Sequence, residues 1–275
     1  MRVVSLHPAC TEWLVEIGAA HLLAGRSHEC PQPFVPAVTR SDGAIDHEAL
    51  DRLRPDIVLG PSEGMVLPDA LNVEVMEFAS LKQLLGSVLK LGRRIGAGQT
   101  AMQRIASYEA RLKGMRDRAG LSNRAPKEQM PTALCITRLH PLTVGGRWIP
   151  DLVELAGGRP LLVATGEPSR EVAWDEIRRA DPDVLVFMVE GLSAEKALGE
   201  VRRLSSQPGW AGLAAVRRNR VMVLDGGTYF NIPGPRLYRG IELLIASFYP
   251  GLIHAESWEA YALTETVISA RSIAE

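Results

Sequence analysis

Short apolar runs alternate with amphipathic segments along the chain, and this pattern predicts β-strands that alternate with α-helices. Apolar runs of strand length lie near residues 2–6, 22–25, 56–59, 132–137 and 184–189. Helical periodicity is found near residues 11–17, 46–53, 80–94 and 100–118. We expect Thr11 to cap the first helix, because a hydroxyl can accept an amide hydrogen of the first turn. Alternating elements of this kind predict an α/β fold with mainly parallel sheets covered by helices.

One supersecondary unit occurs twice in the chain. Residues 45–59 (IDHEALDRLRPDIVL) align without a gap with residues 172–186 (VAWDEIRRADPDVLV), and a Leu-His-Pro tripeptide recurs at residues 6–8 and 139–141. A single copy in each half favours two similar lobes over a solenoid, which needs three or more copies. We therefore predict an N-terminal lobe over residues 1–97, a linking helix over residues 98–120 and a C-terminal lobe over residues 121–275.

Composition and charge exclude several functional classes. The chain has 275 residues, of which 46% are hydrophobic, and a net charge of −1 from 31 basic and 32 acidic side chains. This balance provides no electrostatic footprint for nucleic acid. No apolar run approaches the roughly 20 residues of a membrane span, and no export signal precedes the first strand. The three cysteines have no CxxC spacing, so a disulfide framework is not expected.

Ligands of α/β sheets bind beyond the carboxyl ends of the strands, so the loops that follow strands carry the candidate binding residues. In the N-terminal half, His7 and Pro8 follow the first strand, and His28, Glu29 and Cys30 follow the second. In the C-terminal half, the corresponding loops contain Trp148, Tyr229, Phe230 and Arg236. The sequence thus predicts a ligand site made by loops of both halves.

Motifs for catalysis are missing from the sequence. The chain contains no GxSxG, GxxxxGK[ST] or HExxH motif, and no GxGxxG opens a helix after a strand. We therefore predict no catalytic residue and no catalytic cofactor. A Cys-His hydrolase that pairs Cys10 or Cys30 with His7 or His28, or a metal-dependent enzyme, is the alternative from the class of enzymes.

Several segments resemble, in the same order, those of the Fe/B12-type periplasmic binding domain family, especially the cobalamin-binding proteins of ABC importers. These segments are VVSLHPACTE at residues 3–12, GRSHEC at 25–30, VTRS at 38–41, WIPDLVELAGG at 148–158 and YFNIPGPR at 229–236. The resemblance spans residues 2 to about 250. It implies two α/β lobes that are joined by one long rigid helix and hold a ligand in a cleft between them.

The resemblance also implies a function. The chain would be a solute-binding protein that captures cobalamin or a related corrinoid and presents it to the permease of an ABC importer. The broad apolar face of a corrinoid requires aromatic walls, for which we predict Trp148, Tyr229 and Phe230. Arg236 would donate hydrogen bonds to the ligand, and His28 is the candidate axial ligand of cobalt. Three acidic residues are predicted by position to dock the permease: Glu63, Asp69 and Glu195.

Two further interpretations stay open at this point. One keeps the fold but changes the ligand to a siderophore, haem or another iron chelate, whose negative charge would be met by Arg26, Arg40, Arg138, Arg147 and Arg236. The other is a cytoplasmic corrinoid chaperone or metal-dependent enzyme, which a native start at Met1 would favour. The resemblance itself implies a periplasmic or other extracytoplasmic location.

Overall fold

The computed structural model describes residues 1–30, 34–61, 67, 71–121, 130–250 and 267–269, and it divides into two compact units. The first unit contains Met1–Glu109 together with Pro233–Pro235. The second contains Ala110–Ile232 and the chain from Arg236 onward. Each unit combines a β-sheet with helices, so the predicted α/β fold class is confirmed.

The sheet of the first unit is parallel throughout, with the strand order β2-β1-β3-β4. Its strands are β1 (Val3–Ser5), β2 (Leu23–Arg26), β3 (Ile57–Pro61) and β4 (Val73–Met76), and its helices are α1 (Pro8–Glu16), α2 (His47–Leu53) and α3 (Leu81–Arg94). Side-chain caps define where two of the helices begin. Asp46 accepts the amide hydrogen of Ala49 at the start of α2, and Ser80 accepts that of Gln83 at the start of α3.

The long helix α4 (Gly98–Arg118) contributes residues to both units, and the division falls after Glu109. In its first part, the Tyr108 ring packs edge-on against Trp13 of α1, with 6.5 Å between ring centroids. In its last part, Arg111 forms a two-pronged ion pair with Glu242, with Nε–Oε1 and Nη2–Oε2 distances of 2.5 and 3.0 Å. Because the side chain of Glu242 is only 4% exposed, this pair is a buried anchor of the helix within the second unit.

The second unit has a mixed sheet with the order β11-β10-β9-β5-β6-β8, and β7 pairs with β5. Strands β5, β9 and β10 are parallel to one another, whereas β6, β8 and β11 pair antiparallel. The central strand β9 is buried along its whole length, as expected for a parallel strand covered on both faces. The strands are β5 (Thr132–Leu139), β6 (Leu142–Val144), β7 (Arg159–Pro160), β8 (Arg170–Glu171), β9 (Val184–Phe187), β10 (Val221–Leu224) and β11 (Val267–Ser269), and the helices are α5 (Ile149–Leu155), α6 (Trp174–Ala180), α7 (Ala194–Leu204), α8 (Ala214–Arg217), α9 (Gly226–Tyr229) and α10 (Leu237–Phe248).

The repeated sequence unit has the same local structure in both places. Each copy forms a short helix, a residue with positive φ just before the proline, and a buried strand. The aspartate after the proline also has the same role in each copy. Asp56 Oδ2 accepts the amide hydrogen of Arg2, just before β1, at 2.6 Å, and Asp183 Oδ2 accepts that of Thr132, the first residue of β5, at 3.0 Å. The Pro-Asp turn thus aligns each helix-strand unit with its neighbouring strand.

One local expectation was wrong, and the likeness of the two Leu-His-Pro tripeptides is only partial. Helix α1 begins at Pro8 rather than near Thr11, because proline fits the first turn and His7 supplies the cap. The second Leu-His-Pro tripeptide does not lead into a helix, because β5 turns back at residues 140–141 and pairs with β6 as a hairpin. The likeness of the two tripeptides therefore ends at the strand that precedes each of them.

Candidate functional site

His7 is held by its own helix. Its Nδ1 accepts the amide hydrogen of Ala9 at 3.1 Å, so the proton of the neutral ring lies on Nε2. Burial lowers the pKa of His7, while the charge of Glu29 acts in the opposite direction. The ring also packs on Phe78, with 5.0 Å between centroids. His7 is thus a neutral capping residue whose Nε2–H is its remaining donor, and Pro8 beside it is buried in the first turn.

A buried polar cluster fixes the loop that follows β2. Thr11 Oγ1 lies 2.8 Å from Ser5 Oγ and 3.0 Å from Cys30 Sγ, and Ser27 Oγ lies 3.1 Å from the same sulfur. The cluster therefore ties β1, α1 and the loop after β2 together. Cys30 is only 4% exposed, so its side chain supports the loop from inside rather than facing a ligand. We leave Cys30 and Pro8 out of the site that we propose below.

Removing the Thr11 hydroxyl will loosen this cluster. We expect Thr11→Val to lower the free energy of unfolding by about 1–2 kcal/mol, because it removes one hydrogen-bond partner each from the buried Ser5 hydroxyl and the buried Cys30 thiol. Urea denaturation followed by circular dichroism measures the change. Thr11→Ser keeps the hydroxyl and is the matched control, and a Thr11→Val protein as stable as Thr11→Ser would contradict this role.

His28 lies on the same loop, and its ring is held by Thr39. The Thr39 hydroxyl accepts the His28 amide hydrogen at 2.8 Å and lies 2.9 Å from His28 Nδ1. The residue is partly exposed, and Nδ1 is engaged, so Nε2 is the ring nitrogen left for a ligand. Glu29 next to it is exposed. Arg26 Nη1 donates to the carbonyl oxygens of Ser27 and His28, so this guanidinium supports the loop.

In the second unit, Trp148 and Tyr229 are partly exposed, whereas Phe230 is fully buried. The Trp148 indole N–H donates to the Phe230 carbonyl oxygen at 2.8 Å, which fixes the plane of the indole at the start of α5. The Phe230 ring packs against Gly240 of α10, where a Cβ would lie 2.8 Å from the ring. Phe230 is therefore a core residue by placement, and we do not include its ring in the proposed site.

Arg236 is exposed at the start of α10. Of the residues predicted to dock a permease, Glu195 is exposed in the first turn of α7, while Glu63 and Asp69 lie outside the described residues. Among the other arginines considered, Arg138 pairs with Glu190 at 3.3 Å. Arg236 is thus exposed on the segment that also carries Tyr229.

Two of the cysteines, Cys10 and Cys135, are buried thiols. Burial, followed by the neighbouring Cys30 thiol, raises the pKa of Cys10, and burial raises the pKa of Cys135 to about 12. Both thiols therefore stay protonated near neutral pH, which is unfavourable for nucleophilic catalysis. Within the described ranges, no three His, Cys, Asp or Glu side chains are grouped so as to hold a metal ion. The same ranges contain no helix long and apolar enough to cross a membrane.

Two residues of interest were missed by sequence reasoning. Thr39 lies in the segment at residues 38–41, and Asn231 in the segment at residues 229–236, that carry the resemblance, yet neither was singled out. Thr39 acts through the orientation of His28, which is 11 residues away in the chain. Both amide atoms of Asn231 are buried without a hydrogen-bond partner among the described residues. For Asn231, the available signal in the sequence was a polar residue between an aromatic residue, Phe230, and Pro233.

Comparison with known proteins identifies relatives over most of the chain. An uncharacterized ABC transporter substrate-binding lipoprotein, YvrC of Bacillus subtilis (strain 168), is 22% identical over 268 residues, which cover 90% of this chain and 80% of that protein. A periplasmic heme binding protein from Pseudomonas aeruginosa has a similar structure, with 28% identity, a TM-score of 0.70 and coverage of 91% and 93%. The periplasmic vitamin B12 binding protein BtuF of Vibrio cholerae shares the fold at 19% identity, with a TM-score of 0.68 and coverage of 90% and 96%.

A family profile matches most of this chain and shows the family to which it belongs. The family profile described as periplasmic binding protein matches residues 3–227. Proteins of this family bind substrates and are not catalysts. The two α/β units and the match together show that the chain belongs to the periplasmic binding protein family.

Proposed function

We propose that the chain is the substrate-binding protein of an ABC importer and that its substrate is a flat, metal-chelating macrocycle. A corrinoid is the leading ligand and haem is the second candidate. The family match and the similarity to an ABC transporter substrate-binding lipoprotein support the role in import and an extracytoplasmic location. The permease of the importer is then the partner, and the exposed Glu195, with Glu63 and Asp69, is the proposed docking group.

The orientation of His28 is the single observation that carries the choice of ligand. Its Nδ1 is engaged by Thr39, which leaves Nε2 to reach a metal centre. If Nδ1–H donates to the Thr39 hydroxyl, Nε2 carries the lone pair that coordinates cobalt or iron. Metal-ligating histidines commonly have such a partner on the second nitrogen, because it fixes the tautomer and the ring orientation.

Two aromatic residues in the second unit suit the flat face of a macrocycle. Trp148 and Tyr229 are partly exposed, and the hydrogen bond to the Phe230 carbonyl prevents the indole of Trp148 from rotating. A preorganised aromatic ring loses little conformational entropy when a ligand packs against it. Arg236, exposed after the same loop, can donate hydrogen bonds to amide or carboxylate groups at the rim of the ligand.

Haem is the second candidate because of one specific comparison. The solved structure with 28% identity is a haem-binding protein, whereas the vitamin B12-binding structure shares 19%. Haem presents two carboxylates, which an arginine binds well. Arg236 is exposed and follows the loop that carries Tyr229, so it is the arginine that we propose for a carboxylate.

Visible spectroscopy tests both the ligand class and the role of His28. We expect aquocobalamin or haemin to saturate at one equivalent with a shifted spectrum, because Nε2 replaces water or solvent at the metal. In His28→Ala this shift will be lost. His21→Ala changes an exposed histidine elsewhere in the first unit and is the matched control. A shift that persists in His28→Ala would exclude His28 as the metal ligand, and the absence of saturable binding would contradict the proposed ligand class.

A further inference from the structure

The side-chain amide of Asn231 is an unusual feature of the second unit. Both Oδ1 and Nδ2 are buried, and neither has a hydrogen-bond partner among the described residues. The backbone around it is well defined, since its N–H donates to the Gly226 carbonyl oxygen at 3.0 Å. The residue as a whole is partly exposed, although its amide atoms are buried. An intact donor and acceptor pair therefore lies unused just below the surface.

A buried amide without hydrogen-bond partners lowers the stability of the folded protein, and this loss needs a physical reason. A buried polar group without a partner destabilises a protein by about 1–3 kcal/mol, and native proteins contain few of them. A leucine of similar shape would avoid this cost. Groups of this kind are expected where a ligand provides the missing hydrogen bonds, because binding then recovers the free energy that folding did not.

The position of Asn231 indicates which ligand would provide them. The residue lies between α9 and α10, two residues after Tyr229 and directly after Phe230, whose carbonyl oxygen holds the indole of Trp148. Tyr229 therefore lies on the same short segment as Asn231, and the carbonyl that holds the Trp148 indole belongs to the residue directly before it. A ligand packed on these two rings would approach the segment that carries the amide.

We infer that Asn231 recognises a primary amide at the rim of the ligand, and so favours an amide-bearing corrinoid over a carboxylate-bearing macrocycle. This inference rests on the function proposed above. Two primary amides can pair reciprocally, because each donates one N–H to the carbonyl oxygen of the other. A carboxylate accepts from Nδ2–H but cannot donate to Oδ1, and it places negative charge near that oxygen. A site that needs both hydrogen bonds therefore rejects the carboxylate.

The experiment compares three ligands by calorimetry: cyanocobalamin, haemin and cobyrinic acid, a corrinoid with carboxylates in place of the rim amides. We expect the wild-type protein to bind cyanocobalamin at least about tenfold more tightly than cobyrinic acid. Asn231→Leu will weaken cyanocobalamin binding about tenfold, leave cobyrinic acid binding within about twofold, and keep or raise Tm, because it removes an unsatisfied amide. Asn219→Asp changes an exposed asparagine of the same unit and is the control for the change at Asn231. We expect it to leave all three affinities unchanged.

The possible failures are distinguishable. Equal binding of cyanocobalamin and cobyrinic acid, binding of haemin alone, or unchanged affinities in Asn231→Leu would overturn the inference and leave the macrocycle-binding function in place. A lower Tm with an equal loss of affinity for every ligand would show that Asn231 is structural, which also overturns it. No binding of any of the three ligands by the wild-type protein would overturn the proposed function together with the inference.

Discussion

Trp13→Ala will lower the free energy of unfolding of the first unit by about 3–5 kcal/mol, the usual cost of removing a buried tryptophan. The side chain is fully buried in α1, and its indole N–H donates to the Pro233 carbonyl oxygen at 2.9 Å. Gly234 next to that carbonyl lies so close to Glu12 that a Cβ at this position would overlap its carboxylate. Helix α1 thus packs the core and holds the distant segment Pro233–Pro235 in the first unit. Chemical denaturation followed by tryptophan fluorescence and circular dichroism measures the loss.

A conservative variant separates packing from hydrogen bonding at the same position. Trp13→Phe keeps an aromatic ring but leaves the buried Pro233 carbonyl without its donor, so we expect a smaller loss of about 1–3 kcal/mol. Trp174→Phe removes an indole donor to the Pro208 carbonyl at a more exposed site and is the matched control, with an expected loss below about 1 kcal/mol. If Trp13→Ala were within 1 kcal/mol of the wild type, the residue would not have the role that its burial indicates.

Glu74→Gln will destabilise the protein at neutral pH and remove part of its acid sensitivity. The Glu74 carboxylate is 2% exposed and forms ion pairs with Lys90, at 2.8 Å, and with Arg94. Burial by itself raises the pKa of Glu74, but the hydrogen bonds and charges of Lys90 and Arg94 outweigh it and hold the pKa below its ordinary value of 4.5. Lys90 and Arg94 are partly exposed, so no buried charge is left behind, and losing their charge-assisted hydrogen bonds costs about 1–3 kcal/mol at pH 7.

The pH dependence follows from the direction of this shift. Because the folded-state pKa is depressed, the stabilisation from Glu74 is complete above about pH 4.5 and is lost as the pH falls through the folded-state pKa. The difference in Tm between the wild type and Glu74→Gln should therefore shrink as the pH falls below 4.5. Glu48→Gln is the control, because Glu48 and Arg52 form an exposed pair worth at most about 0.5 kcal/mol. A difference in Tm that is the same at pH 3 and pH 7 would contradict this account.

Structural elements that depend only on residues close to one another in the chain were predictable from the sequence. The segments around Pro55 and Pro182 form a helix, a turn and a strand in both units, because proline ends the helix and the apolar run after it forms a buried strand. Ser80 caps α3 as a Ser-x-x-Gln pattern predicts. These features are local in sequence, so periodicity and capping chemistry were enough to find them.

Contacts between distant residues were not predictable in this way. Thr11 has the right chemistry for a helix cap, yet its hydroxyl binds Ser5 and lies against Cys30, 19 residues away. Phe230 follows a strand as a ligand-facing residue would, but its ring is buried because Gly240 leaves room for it. In both cases the residue type fitted the expected role, and the tertiary packing decided where the side chain points. Residue type alone therefore did not determine the orientation of these two side chains.

The remaining conclusions depend on the identity of the ligand. The fold is shared by proteins described as binding haem and vitamin B12, so the fold does not select between them. The features that do bear on the choice are particular side chains, namely His28 with its engaged Nδ1 and Asn231 with its unused amide. We propose a metal chelate from the orientation of His28, and one with amide groups at its rim from the unpaired amide of Asn231.

The most direct test of the central claim is calorimetric titration of the purified wild-type protein with cyanocobalamin and, separately, with haemin. We expect saturable binding of at least one of these macrocycles with a stoichiometry of one per chain. Cyanocobalamin is the ligand expected to bind more tightly. The contradicting result is a titration in which neither compound gives a heat of binding above dilution and neither displaces a macrocycle already bound to the protein. The claim that this periplasmic binding protein captures a flat metal chelate would then be wrong.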